Sequence, residues 1–151
     1  MLDDQNMSYS ILNLANVYGP RQDPHGEAGV MSIFTGKMLN NEIPIVYGDG
    51  NQTRDYIFVT DVVSALIKSS EIDENLFLNI GTSKETTVNE LVSLIGSITQ
   101  WEGEPDYKPQ RDGELLRSVL NNEKAKKSLD WKPEYNINKG IEELVDWFKN
   151  E

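Results

Sequence analysis

No cysteine occurs among the 151 residues. There is therefore no disulfide framework and no thiolate to serve as nucleophile or metal ligand, a composition compatible with a cytoplasmic location. Histidine is almost as scarce, with His25 the only one. A lone imidazole cannot make a multi-histidine metal centre, and without a visible partner its expected role is structural or at the surface. No apolar run approaches the roughly eighteen residues of a membrane span, and no basic stretch followed by an apolar one opens the chain. Basic residues are outnumbered 25 to 14, leaving a net charge of −11. Such a surface repels nucleic acid and anionic membranes, and no basic stripe with interleaved aromatics offsets it. Internal repeats and low-complexity segments are missing too.

What is present is a chain long enough for one domain with its own core. Only four arginines occur, Arg21, Arg54, Arg111 and Arg117, against ten lysines that fall mostly in helical stretches. A planar guanidinium donates two parallel hydrogen bonds to a phosphate, so grouped arginines in an acidic chain point to an anionic small molecule.

Periodicity gives the element order. Ser10 to Val17 reads as one strand with cover on both faces, ended by Gly19-Pro20. Val30, Ile33, Phe34 and Met38 follow helical spacing, and that helix opens after a polar loop with its first amides free to bind an anion. Ile43 to Tyr47 is extended, with Pro44 suggesting an edge. Tyr56 to Val59 reads as a buried strand, and Thr60-Asp61 as the cap of a helix to about Ser70. Leu76 to Gly81 is a further strand. Thr87-Val88-Asn89-Glu90 fits a capping box ahead of an amphipathic helix through Ile98. A short helix over 122–129 and a last one around Ile141, Leu144, Val145 and Phe148, capped near Asn138, complete the chain. Alternating strands and helices argue an α/β fold.

The densest stretch is Gly48-Asp49-Gly50-Asn51-Gln52-Thr53-Arg54-Asp55. Gly48 and Gly50 can take positive φ, which lets the backbone turn tightly and approach a ligand. Arg54 then stands at the mouth of a strand, placed for a phosphate or, more plainly, for a carboxylate. Asp55 and Asp61 read as partners of neighbouring turns rather than as catalytic groups.

Five motifs in register carry a family resemblance: Ala15-Asn16-Val17-Tyr18-Gly19-Pro20-Arg21-Gln22, the Gly48 to Asp55 stretch, Asn79-Ile80-Gly81, Arg111-Asp112-Gly113-Glu114, and Trp131-Lys132-Pro133. Together they resemble the extended short-chain dehydrogenase/reductases, closest to bacterial UDP-glucose 4-epimerases and related nucleotide-sugar epimerases and dehydratases. Asn13-Leu14 and Asn121 depart from that family, which usually has Arg-Tyr and aspartate there. The resemblance implies the C-terminal part of a Rossmann-type enzyme with its small nucleotide-sugar-binding α/β subdomain. Residues 1–151 would form a single substrate-binding region. The family's Gly-x-x-Gly-x-x-Gly turn, which holds NAD, and its catalytic Tyr-x-x-x-Lys are both expected to be absent from this chain.

The resemblance implies a role for each matched position. Asn16 would face the sugar or diphosphate, and amides near Val30 would meet the diphosphate. Ile45, Val46 and Tyr47 would form a lip against the uracil. Arg54 and Arg111 would clamp the diphosphate, and Glu114 would accept hydrogen bonds from the ribose. The implied partner is a UDP-sugar, the implied cofactor is NAD in the full-length parent only, and the chain alone is expected to be catalytically inactive. Two alternatives stand beside this: a stand-alone non-catalytic binding module, and the same half of a dehydratase or reductase. Apolar faces left uncovered on the early strand and helices would favour a homodimer, a rearranged core or marginal stability.

Overall fold

The structure, a computed structural model, describes residues 7–24 and 29–150. His25 and the first six residues lie outside the described residues.

The expected strand over Ser10 to Val17 is two strands, β1 (Ser10–Leu14) and β2 (Asn16–Tyr18). Divergent partners cause the break. β1 runs parallel to β6 (Leu76–Ile80), and the Ala15 amide closes that ladder on the Ile80 carbonyl at 2.9 Å. One residue later the Asn16 amide bonds the Asp55 carbonyl, also at 2.9 Å, and β2 runs parallel to β5 (Tyr56–Phe58). No single ladder can serve both neighbours.

The remaining elements in chain order are α1 (Val30–Leu39), β3 (Ile45–Tyr47), β4 (Thr53–Arg54), α2 (Val59–Ser70), β7 (Thr86–Thr87), α3 (Val88–Thr99), β8 (Asp106–Lys108), β9 (Arg117–Ser118), α4 (Glu123–Leu129) and α5 (Ile137–Asn150). β3 pairs in parallel with β8. β4 is the centre of a three-stranded sheet, antiparallel to β7 and parallel to β9.

Two cores lie on opposite sides of β5. Successive strand side chains point to opposite faces, so Tyr56 and Phe58 enter one core while Ile57 enters the other. In the first, α1, α3 and α5 bring Met31, Phe34, Leu91, Ile95, Ile141 and Leu144 together. In the second, α2 and α4 cover the β1 and β6 strands with Val62, Ala65, Leu129 and Trp131 packed on Leu78 and Ile80. The outer face of α2 leaves Val63, Leu66 and Ile67 exposed, and Ile11, Leu14 and Phe77 are exposed on β1 and β6.

Three helix starts differ in their caps. α3 has its full capping box, with the Glu90 amide donating to Thr87 Oγ1 at 3.0 Å and the Thr87 amide to Glu90 Oε2 at 2.7 Å. α2 has no such cap: it begins at Val59 directly after Phe58, and Asp61 sits inside its first turn. There the Asp61 carboxylate accepts the amides of Glu134 at 2.9 Å and Tyr135 at 3.2 Å, so a distant turn uses the side chain. α5 starts at Ile137, and Asn136, not Asn138, supplies the capping oxygen to the Lys139 amide at 2.9 Å. At the start of α4, Asn121 does what an aspartate would do, its Oδ1 accepting the Glu123 amide at 2.9 Å.

Candidate functional site

A cleft of about 660 Å³ opens between the first turn of α1, the strand β3, the end of β4 and the 111–114 segment. All eight residues singled out above border it: Asn16, Val30, Ile45, Val46, Tyr47, Arg54, Arg111 and Glu114. They arrive from five separate stretches of chain.

The floor comes from β2 and β5. Asn16 donates its side-chain amide to the Asp55 carbonyl at 3.1 Å, which holds it at the cleft edge. Beside it Tyr56 is buried, and desolvation pushes its hydroxyl up to about 12 against the opposing pull of Arg54. It is thus a neutral hydrogen-bonding wall at ordinary pH. Tyr18, which also borders the cleft, is raised as well, first by burial and then by the charge of Asp61.

α1 points its amino terminus at this space. Gly29 is its N-cap, no side chain among the described residues caps it, and no acidic residue lies in its first turn. The amides of Val30 and Met31 precede the first helical bond, from Ile33 to the Gly29 carbonyl at 3.3 Å. Free amides and the positive end of the helix dipole favour an anion there. In β3, Val46 is buried in the first core while Ile45 and Tyr47 are more open.

The glycine turn does not approach the cleft as expected. Gly48 and Gly50 do take positive φ, 76° and 75°. Yet the crowding at Gly50 is against Asn89, whose Oδ1 leaves no room for an added Cβ. The turn is closed by Asp49, which accepts the Asn51 amide at 2.9 Å, and Asn89 donates to the Asp49 carbonyl at 2.9 Å. Its close approach is therefore to α3, and this closure sets the start of β4. Gln52 then ties back to the Tyr47 carbonyl at 2.7 Å.

Arg54 and Asp55 are not a pair. Arg54 donates Nη1 to the Thr53 carbonyl at 2.8 Å and lies 3.8 Å from Glu114 Oε1, both side chains about four-fifths buried. Asp55 turns the other way and accepts four donors: the amides of Thr82, Ser83 and Leu120 and the Thr82 hydroxyl. The second Glu114 oxygen, Oε2, is buried without a hydrogen-bond partner among the described residues. A buried acceptor left open costs stability unless a ligand or water meets it. Arg111 packs its guanidinium over the Tyr47 ring, 3.8 Å from the centroid.

The cleft also contains Gln22, Lys37 and Gln52, which the sequence reading did not single out. Lys37 follows Val30 and Ile33 at helical spacing, so the periodicity held its signal; Gln52 sits inside the glycine motif. Lys37, Arg54 and Arg111 against Glu114 leave the lining with an excess of positive charge in an otherwise acidic chain. Among the described residues no group of acidic or imidazole side chains is arranged to hold a metal. No helix among them is long and apolar enough to cross a membrane.

One expectation is corrected by the sequence itself, because the spacing Tyr-x-x-x-Lys does occur, at Tyr135 and Lys139. The structure gives the pair a packing role. Tyr135 stacks on Phe58 with centroids 4.3 Å apart, and the Lys139 ammonium lies 4.0 Å from the Tyr135 centroid. Neither borders the cleft. Among the described residues α2 follows β5 directly and α3 follows the threonines of β7, so neither helix is entered through a glycine turn.

Comparison with known proteins places this geometry. The family model described as GDP-mannose 4,6 dehydratase matches residues 2–144. A candidate UDP-glucose 4-epimerase of Methanocaldococcus jannaschii is 50% identical over 144 residues, covering 95% of this chain and 47% of its own length. The UDP-glucose 4-epimerase of Mycolicibacterium smegmatis is 43% identical over 137 residues, covering 90% of this chain and 44% of its own length. The crystal structure of UDP-glucose 4-epimerase from Thermotoga maritima with UDP-glucose superposes with a TM-score of 0.96 at 44% identity, over 99% of this chain and 48% of that one. The chain thus spans about half the length of the relatives it matches. It belongs to the GDP-mannose 4,6 dehydratase family of extended short-chain dehydrogenase/reductases and shares their Rossmann-type α/β fold.

Proposed function

We propose that this chain is the UDP-hexose-binding portion of an NAD-dependent UDP-glucose 4-epimerase-like enzyme. The observation that carries the reading is the meeting, in one cleft, of two guanidiniums with a helix amino terminus and a buried carboxylate oxygen that no side chain among the described residues caps or pairs. A diphosphate needs several donors, and a ribose diol needs an acceptor. In this reading Arg54, Arg111 and the amides near Val30 bind the diphosphate. Glu114 Oε2 accepts from a ribose hydroxyl, Ile45 to Tyr47 border the uracil, and Asn16 faces the sugar or diphosphate. UDP-glucose in the Thermotoga maritima relative supports this assignment.

The role of this chain is to bind and orient the substrate. NAD and the proton-transferring groups belong, in this reading, to a part of the parent enzyme outside these 151 residues, so the chain by itself does not epimerise. Calorimetric titration with UDP tests the site. Arg54→Ala and Arg111→Ala should each weaken binding about ten-fold or more, the loss expected for charge-assisted hydrogen bonds. Wild-type affinity in both variants would overturn the assignment, and epimerisation by the purified chain would overturn its inactivity.

A further inference from the structure

We infer that Arg117, Glu85 and Thr53 form a clasp that positions the binding residues from behind. Alternation along β4 supports this: Arg54 faces the cleft, so its neighbour Thr53 faces the opposite side of the sheet. Thr53 donates its hydroxyl to Glu85 Oε1 at 2.6 Å. β9 lies beside β4 with Arg117 opposite Thr53 in register, which puts Arg117 on the same outer face. There it grips Glu85 with two hydrogen bonds, Nε to Oε1 at 2.7 Å and Nη2 to Oε2 at 2.8 Å.

The clasp matters because of what β9 carries. The segment before it, from Pro109 to Leu116, holds both Arg111 and Glu114 and is almost wholly exposed. Gly113 turns that segment at φ 76° with nothing within 4 Å of a notional Cβ, so little packing restrains it. Its anchorage to β4 is a two-residue strand. The Thr53 amide bonds the Leu116 carbonyl at 2.9 Å and the Asp55 amide bonds the Ser118 carbonyl at 3.0 Å. A two-armed Arg-carboxylate grip next to so short a ladder fixes its register, and with it the place of Glu114 beside Arg54. Arg117 and Glu85 are thus positioning residues for the cleft, a role that rests on the nucleotide reading above.

The test compares the wild-type chain, Arg117→Ala, and the reversed pair Glu85→Arg with Arg117→Glu. Two readouts apply: UDP titration, and hydrogen exchange at the Thr53 and Asp55 amides without ligand. Arg117→Ala should weaken UDP binding about five-fold, the scale of one well-formed surface pair. It should also speed exchange at those two amides while leaving Leu144 in α5 unchanged, since the opening is local. The reversed pair should recover most of both effects. Unchanged affinity together with unchanged exchange in Arg117→Ala would refute the clasp, as would faster exchange spread through α5. If the wild type binds no UDP, the nucleotide reading fails, and the clasp then stands or falls on the exchange data alone.

Discussion

Replacing Asp55 by asparagine exchanges one carboxylate oxygen for an NH2 group and leaves the shape of the side chain nearly unchanged. The side chain is 1% exposed, and all four of its partners are donors. Oδ1 accepts the Thr82 amide at 2.9 Å and the Thr82 hydroxyl at 2.5 Å; Oδ2 accepts the amides of Ser83 at 3.1 Å and Leu120 at 3.4 Å. In either orientation an asparagine must aim its NH2 at two donors. Two hydrogen bonds to a charged acceptor are lost, each worth about 1.5–3 kcal/mol, although relief of the buried charge offsets part of this. The expected cost is therefore about 3 kcal/mol. For a domain of this size that lowers the melting temperature by about 6–12 °C. Thr82 and Ser83 lead into β7 and Leu120 follows β9, so the loss also loosens both neighbours of β4. Thermal unfolding followed by circular dichroism measures the shift, with exposed Asp73→Asn as a control expected within about 0.5 kcal/mol of wild type. A melting temperature for Asp55→Asn within about 2 °C of wild type would refute the reasoning.

Other outcomes follow from single features. The Arg117 guanidinium, with help from Thr53, holds the Glu85 carboxyl down to about 2 from its ordinary 4.5. Because the folded value lies below the unfolded one, this contribution is complete above the unfolded value and fades as pH falls from about 4.5 toward about 2. The gap in urea midpoint between wild type and Arg117→Ala should be constant above about pH 5 and close within that window; a gap that persists at the acid end contradicts the pairing. Gly50→Ala combines positive φ with a clash on Asn89 and should cost about 1–3 kcal/mol in urea unfolding, whereas a neutral result would show that the turn can shift away from α3. Burial pushes Tyr56 up to about 12 and Tyr18 higher still. Ultraviolet titration should find both neutral at about pH 11, and ionisation of either nearer the ordinary tyrosine value would mean that the cleft floor is open to water.

Legibility in the sequence followed locality. α3 could be read because Thr87 and Glu90 carry their own cap, and α1 and α5 because their apolar stripes need no knowledge of the partner. The break at Ala15 could not be read, since it arises from β6 and β5 competing for adjacent residues. For the same reason Asp61 looked like a cap: the amides of Glu134 and Tyr135 that it serves lie more than seventy positions away. At the site, motifs located the residues that border the cleft, but not how they are held. The carboxylate beside Arg54 is Glu114, sixty positions away, while adjacent Asp55 is turned to the opposite side by strand alternation. Glu85 and Arg117 belong to no motif and meet only through the three-stranded sheet. Tyr135 and Lys139 show the converse, a spacing that fits a catalytic signature and serves as packing.

Amide chemical shifts during titration with UDP-glucose test the central claim most directly. If the cleft binds the nucleotide sugar, the largest shifts should fall on Val30 and Met31 at the start of α1 and on the 111–114 segment, and should saturate together. Shifts confined to other surfaces, or none from a folded chain, would contradict the assignment of this cleft as the nucleotide-sugar site.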